Sequence, residues 1–300
     1  MRLRRGQSVQ SVAKNPLSAL RPQKIPPAYP LCYNLPDYPI PGFSLSHSGR
    51  GQGEGEYAQP LLYSKGLPLT NLIALIPAYN EAARITPVIQ GALAHLPVLV
   101  VDDGSRDATS QVAGAAGASV LRQEPNQGKG AALKAGFRRA LAEGCDAVLT
   151  LDADGQHAPA EIPAFLEAYR TRSPDLLIGA RDFSRMPFSR RFANTSGQAL
   201  FSWAVGRPIR DNQSGYRLIS RRLLEATLQS TLGGFEFEVD MIVICVQHGF
   251  ALDWVPIRTI YGDERSHISP LKHVSRFLQL VWHTRRLMRT APPHLSGEQP

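Results

Sequence analysis

From Leu69 onward, short apolar runs alternate with stretches of helical periodicity, and this alternation limits the fold more than any other feature. Leu72 to Ile76, Val98 to Val101, Ser119 to Leu121, Ala147 to Leu151 and Asp175 to Ile178 read as strands. Between them Glu81 to Leu96, Ala108 to Ala116, Lys129 to Glu143 and Pro159 to Thr171 carry apolar residues at helical spacing. Strands that are apolar at nearly every position are buried on both faces, and a helix between each pair is the crossover that parallel strands require. The expectation is an α/β chain with a mainly parallel central sheet and helices on both faces. Further helices are predicted over Ser189 to Gly206, Ser220 to Leu228, Glu236 to His248 and Ser269 to Thr290, with a late strand or edge element over Leu252 to Ile260.

One of these runs, Ala147 to Leu151, leads into Asp152-Ala153-Asp154-Gly155-Gln156-His157. Asp-Ala-Asp-Gly is turn composition, so both carboxylates belong at the carboxyl end of a buried strand, where open α/β sheets bind ligands. Two carboxylates one residue apart can hold a divalent cation over such a crevice. Three more loops fall at strand ends: Pro77-Ala78-Tyr79-Asn80-Glu81, Asp102-Asp103-Gly104-Ser105-Arg106-Asp107 and Asn126-Gln127-Gly128-Lys129-Gly130. Each is bland alone, because Asp-Asp-Gly-Ser is an ordinary strand-ending turn and Gly-Lys-Gly an ordinary tight turn. The third loop lacks both the P-loop spacing and the strand-GxGxxG context of a dinucleotide site.

Taken together, in order and at roughly 25-residue spacing, Pro-x-Tyr-Asn-Glu, Val-Asp-Asp-Gly-Ser-x-Asp, Asn-x-Gly-Lys-Gly and Asp-x-Asp-x-Gln-His resemble glycosyltransferase family 2. Within it they resemble the dolichyl- or polyprenyl-phosphate mannose and glucose synthases. The resemblance runs from about Asn71 to Lys272. It implies the GT-A nucleotide-diphospho-sugar transferase fold, a nucleotide-sugar donor, and Mg²⁺ or Mn²⁺ held by Asp152, Asp154 and the Gln156 amide. By the same resemblance Pro77, Tyr79, Glu81, Asp103 and Lys129 belong to the donor site. The chemistry agrees: a departing nucleoside diphosphate gains negative charge, which a hard cation stabilises.

Gly179-Ala180-Arg181 and Asp211-Asn212-Gln213-Ser214-Gly215-Tyr216-Arg217 resemble the Gly-Ser-Arg and Ser-Gly-Phe-Arg motifs of the prenyl-phosphate branch, with Ala180 and Tyr216 as mild departures. Guanidinium groups suit bidentate phosphate binding. Arg181 and Arg217, with Asp152 and Asp154, are therefore the expected catalytic set, and Arg190, Arg191 and Ser214 are expected at an acceptor phosphate. Tyr261 to Ser269 resembles a capping loop, from which Arg265 and His267, with Lys272, would close over phosphates; a polar turn before the last helix is the alternative. A phosphomonoester acceptor needs positioning more than deprotonation. Only Asp211 and the acidic run Glu236, Glu238 and Asp240 offer a base.

The segment before about residue 67 is rich in Pro and Gly and has no periodicity, so it is expected to be disordered. A mis-assigned translation start explains it as well as a genuine extension. Residues 68–268 are the expected catalytic domain and residues 269–300 a basic amphipathic helix and tail. Leu271, Val274, Phe277, Leu278 and Val281 mark that helix's apolar face, which suits either a membrane surface or its own domain.

The formal charge of +8 calls for an anionic partner, but much of it lies in the two terminal segments and no nucleic-acid reader motif is present. No apolar run approaches the roughly 18 residues of a spanning helix, and Cys32, Cys145 and Cys245 form no disulfide framework or zinc pattern. A cytoplasmic protein, peripheral at the cytoplasmic membrane face, is expected. Transfer to polyprenyl phosphate from GDP-mannose or UDP-glucose is the leading expectation. The alternatives are a saccharide, protein or small phosphorylated acceptor, or a non-catalytic nucleotide-sugar-binding module.

Overall fold

The computed structural model describes residues 71–183, 188–234, 236–258 and 270–290. Seven strands form one sheet: β1 (Leu72–Ala78), β2 (Val98–Asp102), β3 (Ser119–Arg122), β4 (Ala147–Thr150), β5 (Leu176–Arg181), β6 (Arg217–Ser220) and β7 (Leu252–Ile257). Their spatial order is β3-β2-β1-β4-β6-β5-β7. The pairs β1/β2, β1/β4, β2/β3 and β5/β7 are parallel, whereas β6 runs antiparallel to both β4 and β5. The expected parallel sheet is thus present with one reversed strand inside it. Sequence reading left Arg217–Ser220 as the end of a loop motif and the start of a helix, because four residues are too few to show a period.

Around the sheet lie α1 (Ile85–Leu93), α2 (Thr109–Ala115), α3 (Lys129–Ala142), α4 (Ile162–Arg172), α5 (Phe188–Val205), α6 (Arg221–Thr227), α7 (Glu236–Gln247) and α8 (Pro270–Thr290). The alternation of side chains along each strand produces two cores. Leu72, Ala74 and Ile76 pack with Ile85 and Ile89 of α1 and Phe165 of α4 on one face. Ile73 and Leu75 pack with Phe137 of α3 and Phe237 and Ile242 of α7 on the other. Burial on both faces is the reason these strands read as continuous apolar runs.

The order of the first four strands places the site. The chain steps outward from β1 to β2 to β3, then returns past β1 to lay down β4 on its other side. Loops leaving β1 and β4 therefore part in opposite directions and open a crevice at the carboxyl edge of the sheet. Close backbone approach keeps one wall of that crevice in place. A Cβ on Gly130 would lie 2.6 Å from the Gly234 carbonyl oxygen and 2.7 Å from Cβ of Phe237, and Ala131 N–H donates to the Gly233 carbonyl at 2.9 Å. Gly130→Ala gains at most about 1 kcal/mol of helix propensity, against an overpacking cost of about 1–3 kcal/mol. We expect a lower melting temperature and a raised donor KM, because Lys129 retreats with the start of α3. A variant with unchanged melting and KM would contradict this packing account.

Two expectations are modified here. Cys145 is disulfide-bonded, while Cys245 is a free buried thiol. The apolar stripe of α8 is turned inward: Val281 is buried in the core, with Phe277, Leu280, Leu287 and Met288 packed beside it. Leu278 is exposed on a neighbouring face. Among the described residues no helix is long and apolar enough to cross a membrane.

Candidate active site

Three adjacent parallel strands end side by side, with Pro77 opposite Val101 and Ala78 opposite Asp102 in register. The loops that leave them are tied to one another by side chains. Asn80 adopts a left-handed conformation with φ of 57°, tolerated by Asn better than by most residues because its short polar side chain bonds locally. Its N–H donates to Ser105 Oγ at 2.9 Å and its Oδ1 accepts from Arg106 N–H at 2.8 Å, so the first loop is fastened to the second.

The two aspartates of Asp102-Asp103 divide the work. Fully buried Asp102 accepts from Ser105 N–H at 2.8 Å, from the Ser110 hydroxyl and from Arg122 at 3.0 Å. Burial pushes its carboxyl up, but the hydrogen bonds from Ser105 and Ser110, aided by Arg122, outweigh that and hold it below its usual value. Asp103 reaches across to the third loop, accepting from Gln127 N–H and Gly128 N–H, both at 2.8 Å, and from Gln123 Nε2 at 2.5 Å. Gly104, at φ of 73°, passes so close to that loop that a Cβ would lie 2.9 Å from Asn126 N.

These ties enclose a cavity of about 350 Å³ lined by Pro77, Tyr79, Glu81, Asp103, Asn126, Gly128, Lys129, Asp152 and Asp154, among others. Every residue expected at the donor site except Gln156 is in that wall. Lys129 Nζ lies 2.6 Å from Asp152 Oδ1 and 3.1 Å from Glu238 Oε2. Burial by itself would lower the lysine's pKa, but the two carboxylates outweigh it and the ammonium is held charged, above its ordinary value. Asp152 responds in kind: burial raises its pKa, while Lys129 and His157 more than reverse the effect. Burial keeps His157 below its ordinary value despite both aspartates. Its Nδ1 accepts the Asp152 backbone N–H at 3.3 Å, which places the proton of the neutral ring on Nε2.

Glu81 is raised by burial, with Arg84, 2.9 Å away, pulling the other way. Asp154 Oδ1 accepts from the Gln156 backbone N–H at 2.9 Å, which shapes the turn. Gln156 reaches Asp154 through its backbone N–H and is not among the residues lining the cavity. Among the described residues no three His, Cys, Asp or Glu side chains converge as a closed metal cage. Asp152 and Asp154 do fit a hard cation of the kind that takes one or two protein carboxylates and completes its shell with water and substrate phosphate.

Downstream, two of the residues expected at phosphates are buried. Arg217 is fully buried, and its guanidinium donates to the carbonyls of Ser214 at 2.8 Å, Asn212 at 3.3 Å and Glu238. It braces the floor of the site and has no face to offer a phosphate. Ser214 is buried in the same turn, where its N–H donates to Asp211 and its hydroxyl accepts from Tyr216 N–H. The Ser-Gly-Tyr-Arg motif nevertheless belongs to the site through its glycine. A Cβ on Gly215 would lie 2.8 Å and 2.9 Å from the Asp152 carboxylate oxygens and 3.0 Å from Lys129 Nζ.

Arg181 forms a bidentate pair with buried Asp211, at 2.7 and 3.0 Å. Arg191 is exposed on α5. Arg190 and Lys272 belong to α5 and α8, with side chains outside the described residues, as Arg265 and His267 are entirely. Glu238 was legible only as one acid in a run. Its partner Lys129 lies far away in the chain, so no local signal marks the contact.

A crevice at the switch between β1 and β4, with an aspartate pair at its edge, is where an open α/β sheet binds its ligand, and solved structures of the GT-A glycosyltransferase fold share this architecture. The family model described as Glycosyl transferase family 2 matches residues 73–228, and the chain belongs to that family. It is a glycosyltransferase. Polyprenol monophosphomannose synthase of Mycolicibacterium smegmatis is 31% identical over 225 residues, covering 69% of this chain and 82% of the relative. Undecaprenyl-phosphate mannosyltransferase of Micrococcus luteus is 34% identical over 205 residues, covering 62% and 82% respectively. Glucosyl-3-phosphoglycerate synthase from Mycobacterium tuberculosis, crystallised with Mn²⁺, uridine-diphosphate and phosphoglyceric acid, shares the fold. Its TM-score is 0.58 at 22% identity, covering 74% of this chain and 80% of that one.

Proposed function

We propose that this protein transfers a hexose from a nucleoside diphosphate sugar to the phosphate of a polyprenyl phosphate. The observation that carries the donor half is the shared cavity, in which carboxylates from three loops and the Lys129 ammonium surround a space of about 350 Å³. Asp152 and Asp154 would hold Mg²⁺ or Mn²⁺, which supplies charge stabilisation to the departing diphosphate. Tyr79, Glu81 and Asp103 would line the nucleoside, with Pro77 shaping the loop. Lys129, held charged by Asp152 and Glu238, adds a fixed positive charge near the diphosphate.

The acceptor half is supported by the activities for which the relatives are named and by the state of the available bases. Of the four candidate acids, Asp211 is locked to Arg181, Glu238 faces Lys129 and Asp240 accepts from the Ser230 hydroxyl at 2.6 Å, while Glu236 has no such tie among the described residues but does not line the donor cavity. An acceptor hydroxyl would need one of them free, whereas a phosphomonoester arrives already anionic. In the reaction an acceptor phosphate oxygen forms a bond to the anomeric carbon as the bond to the diphosphate breaks. The nucleoside diphosphate leaves with that electron pair, and the anomeric centre inverts.

The test is to incubate the full chain with GDP-mannose or UDP-glucose, Mg²⁺ or Mn²⁺, and short-chain prenyl phosphate in detergent. Glycolipid should form, with no product on free saccharides. Transfer to a saccharide or a soluble phosphorylated metabolite, with none to prenyl phosphate, would overturn the acceptor assignment.

A further inference from the structure

The hydrogen bonds around Asp103 restrict which base the donor cavity can pair with. A carboxylate offers about four acceptor positions, two on each oxygen. Asp103 Oδ1 accepts from Gln123 Nε2 at 2.5 Å and from Gln127 N–H at 2.8 Å, so both of its positions are taken. Oδ2 accepts from Gly128 N–H at 2.8 Å, and among the described residues nothing else donates to it. Gly128 lines the cavity, whereas Gln123 and Gln127 do not. The single open position of Asp103 is therefore on the cavity side.

Gln123 is the side chain that reduces the count to one. It follows β3 directly, and its own N–H continues the ladder by donating to the Asp102 carbonyl at 3.0 Å. Gly104 packs against the same segment, where a Cβ would lie 3.3 Å from the Gln123 carbonyl oxygen and 2.9 Å from Asn126 N. With its backbone held in this way, the Gln123 amide is fixed on Oδ1. Other donors flank the open position. Gly128 N–H lies on one side, and Asn126, also in the cavity wall, donates one amide hydrogen to the Asp103 carbonyl at 3.0 Å and keeps a second. Tyr79, 41% exposed, adds an aromatic ring to the wall. Any base can stack on such a ring, so the edge of the base decides the choice.

Uracil presents one ring N–H between two carbonyls, the complement of one acceptor among donors. Guanine presents two adjacent donors, N1–H and the N2 amino group, which a carboxylate takes through both oxygens; here one oxygen is already full. Cytosine and adenine set a ring-nitrogen lone pair where Asp103 needs a proton, which leaves a buried acceptor unpaired.

We propose that the donor is a uridine diphosphate sugar, and that Gln123 sets this choice by filling the Asp103 oxygen that guanine would need. The inference rests on the donor-site reading above, in which Asp103 lines the nucleoside, and narrows it to one base. Gln123 acts through Asp103, as a positioning residue.

The test is calorimetric titration of the full chain, with Mg²⁺ and without acceptor, against UDP, dTDP, GDP, CDP and ADP. UDP should bind roughly 10-fold or more tighter than GDP, CDP or ADP. Gln123→Met keeps the length of the side chain and removes its donor, so GDP should gain on UDP by roughly 10-fold, with melting close to the wild type. A merely structural glutamine would weaken every nucleotide by the same factor. Should Gln123→Met fail to fold, Gln123→Ala carries the same comparison. GDP, CDP or ADP binding as tightly as UDP overturns the uridine assignment, as does dTDP binding more tightly than UDP. A folded variant with the wild-type ratio of UDP to GDP affinity overturns the role of Gln123. Failure to bind any of these nucleotides removes the donor-site reading itself, whereas a preference for GDP keeps that reading and removes this inference alone.

Discussion

Asp154→Ala should abolish glycosyl transfer, with kcat falling by roughly 10³-fold or more, in a protein that melts close to the wild type. The two halves of this expectation have different origins. Asp154 is half-buried in the cavity wall, and its one hydrogen bond among the described residues is a turn contact from the Gln156 N–H, so its removal costs the fold about 1 kcal/mol or less. Its worth lies instead in the charge that develops on a departing diphosphate. In the proposed reaction the carboxylate would contribute there together with Asp152, which Lys129 and the Asp152 backbone contact to His157 keep in position. The measurement is kcat at saturating donor alongside thermal unfolding. Near-normal turnover would sink the cation assignment, and collapse of the fold would show that the turn matters more than its single bond implies.

Arg217→Leu should fail in the opposite way, by losing stability. The native guanidinium satisfies carbonyls of Ser214, Asn212 and Glu238 in a place with no access to water. Leucine leaves these carbonyls without donors and removes a positive charge beneath Asp152, Asp211 and Glu238. Breaking a buried charged network from one side costs about 3–5 kcal/mol. Arg217→Lys should recover little of it, since a point ammonium cannot span three carbonyls as a planar fork does. The check is denaturant unfolding of both variants together with donor and acceptor KM. If Arg217→Lys kept wild-type stability and raised only an acceptor KM, the guanidinium would belong at a phosphate after all.

These two residues mark how far local reading reaches. Asp154 was legible because an apolar run followed by Asp-Ala-Asp-Gly states both where a strand stops and that carboxylates sit at its end. Pro77, Tyr79, Glu81, Asp103 and Lys129 also lie in loops after strands, but only the resemblance to family 2 marked them as donor-site residues; the structure gathers all of them into one cavity. The motif containing Arg217 was visible too, but its meaning was not. An arginine near a Ser-Gly turn looks the same in one dimension whether it faces a phosphate or three carbonyls. β6 was missed because its residues are too few to show a period, and its reversed direction follows from where β4 and β5 already lie.

The sequence by itself determined the alternation of strands and helices, the turns at strand ends and the carboxylates those turns carry. These depend on steric preferences and periodicity within a few residues. Tertiary structure alone decided which charges face the cavity and which brace it, because burial and pairing join distant segments. Lys129 meets Glu238, and Gly215 leaves room for Asp152, only once the sheet has formed. The same holds for α8. Its apolar and basic residues are plain in the chain, but packing against α5 and α7 decided which stripe is core and which is left exposed.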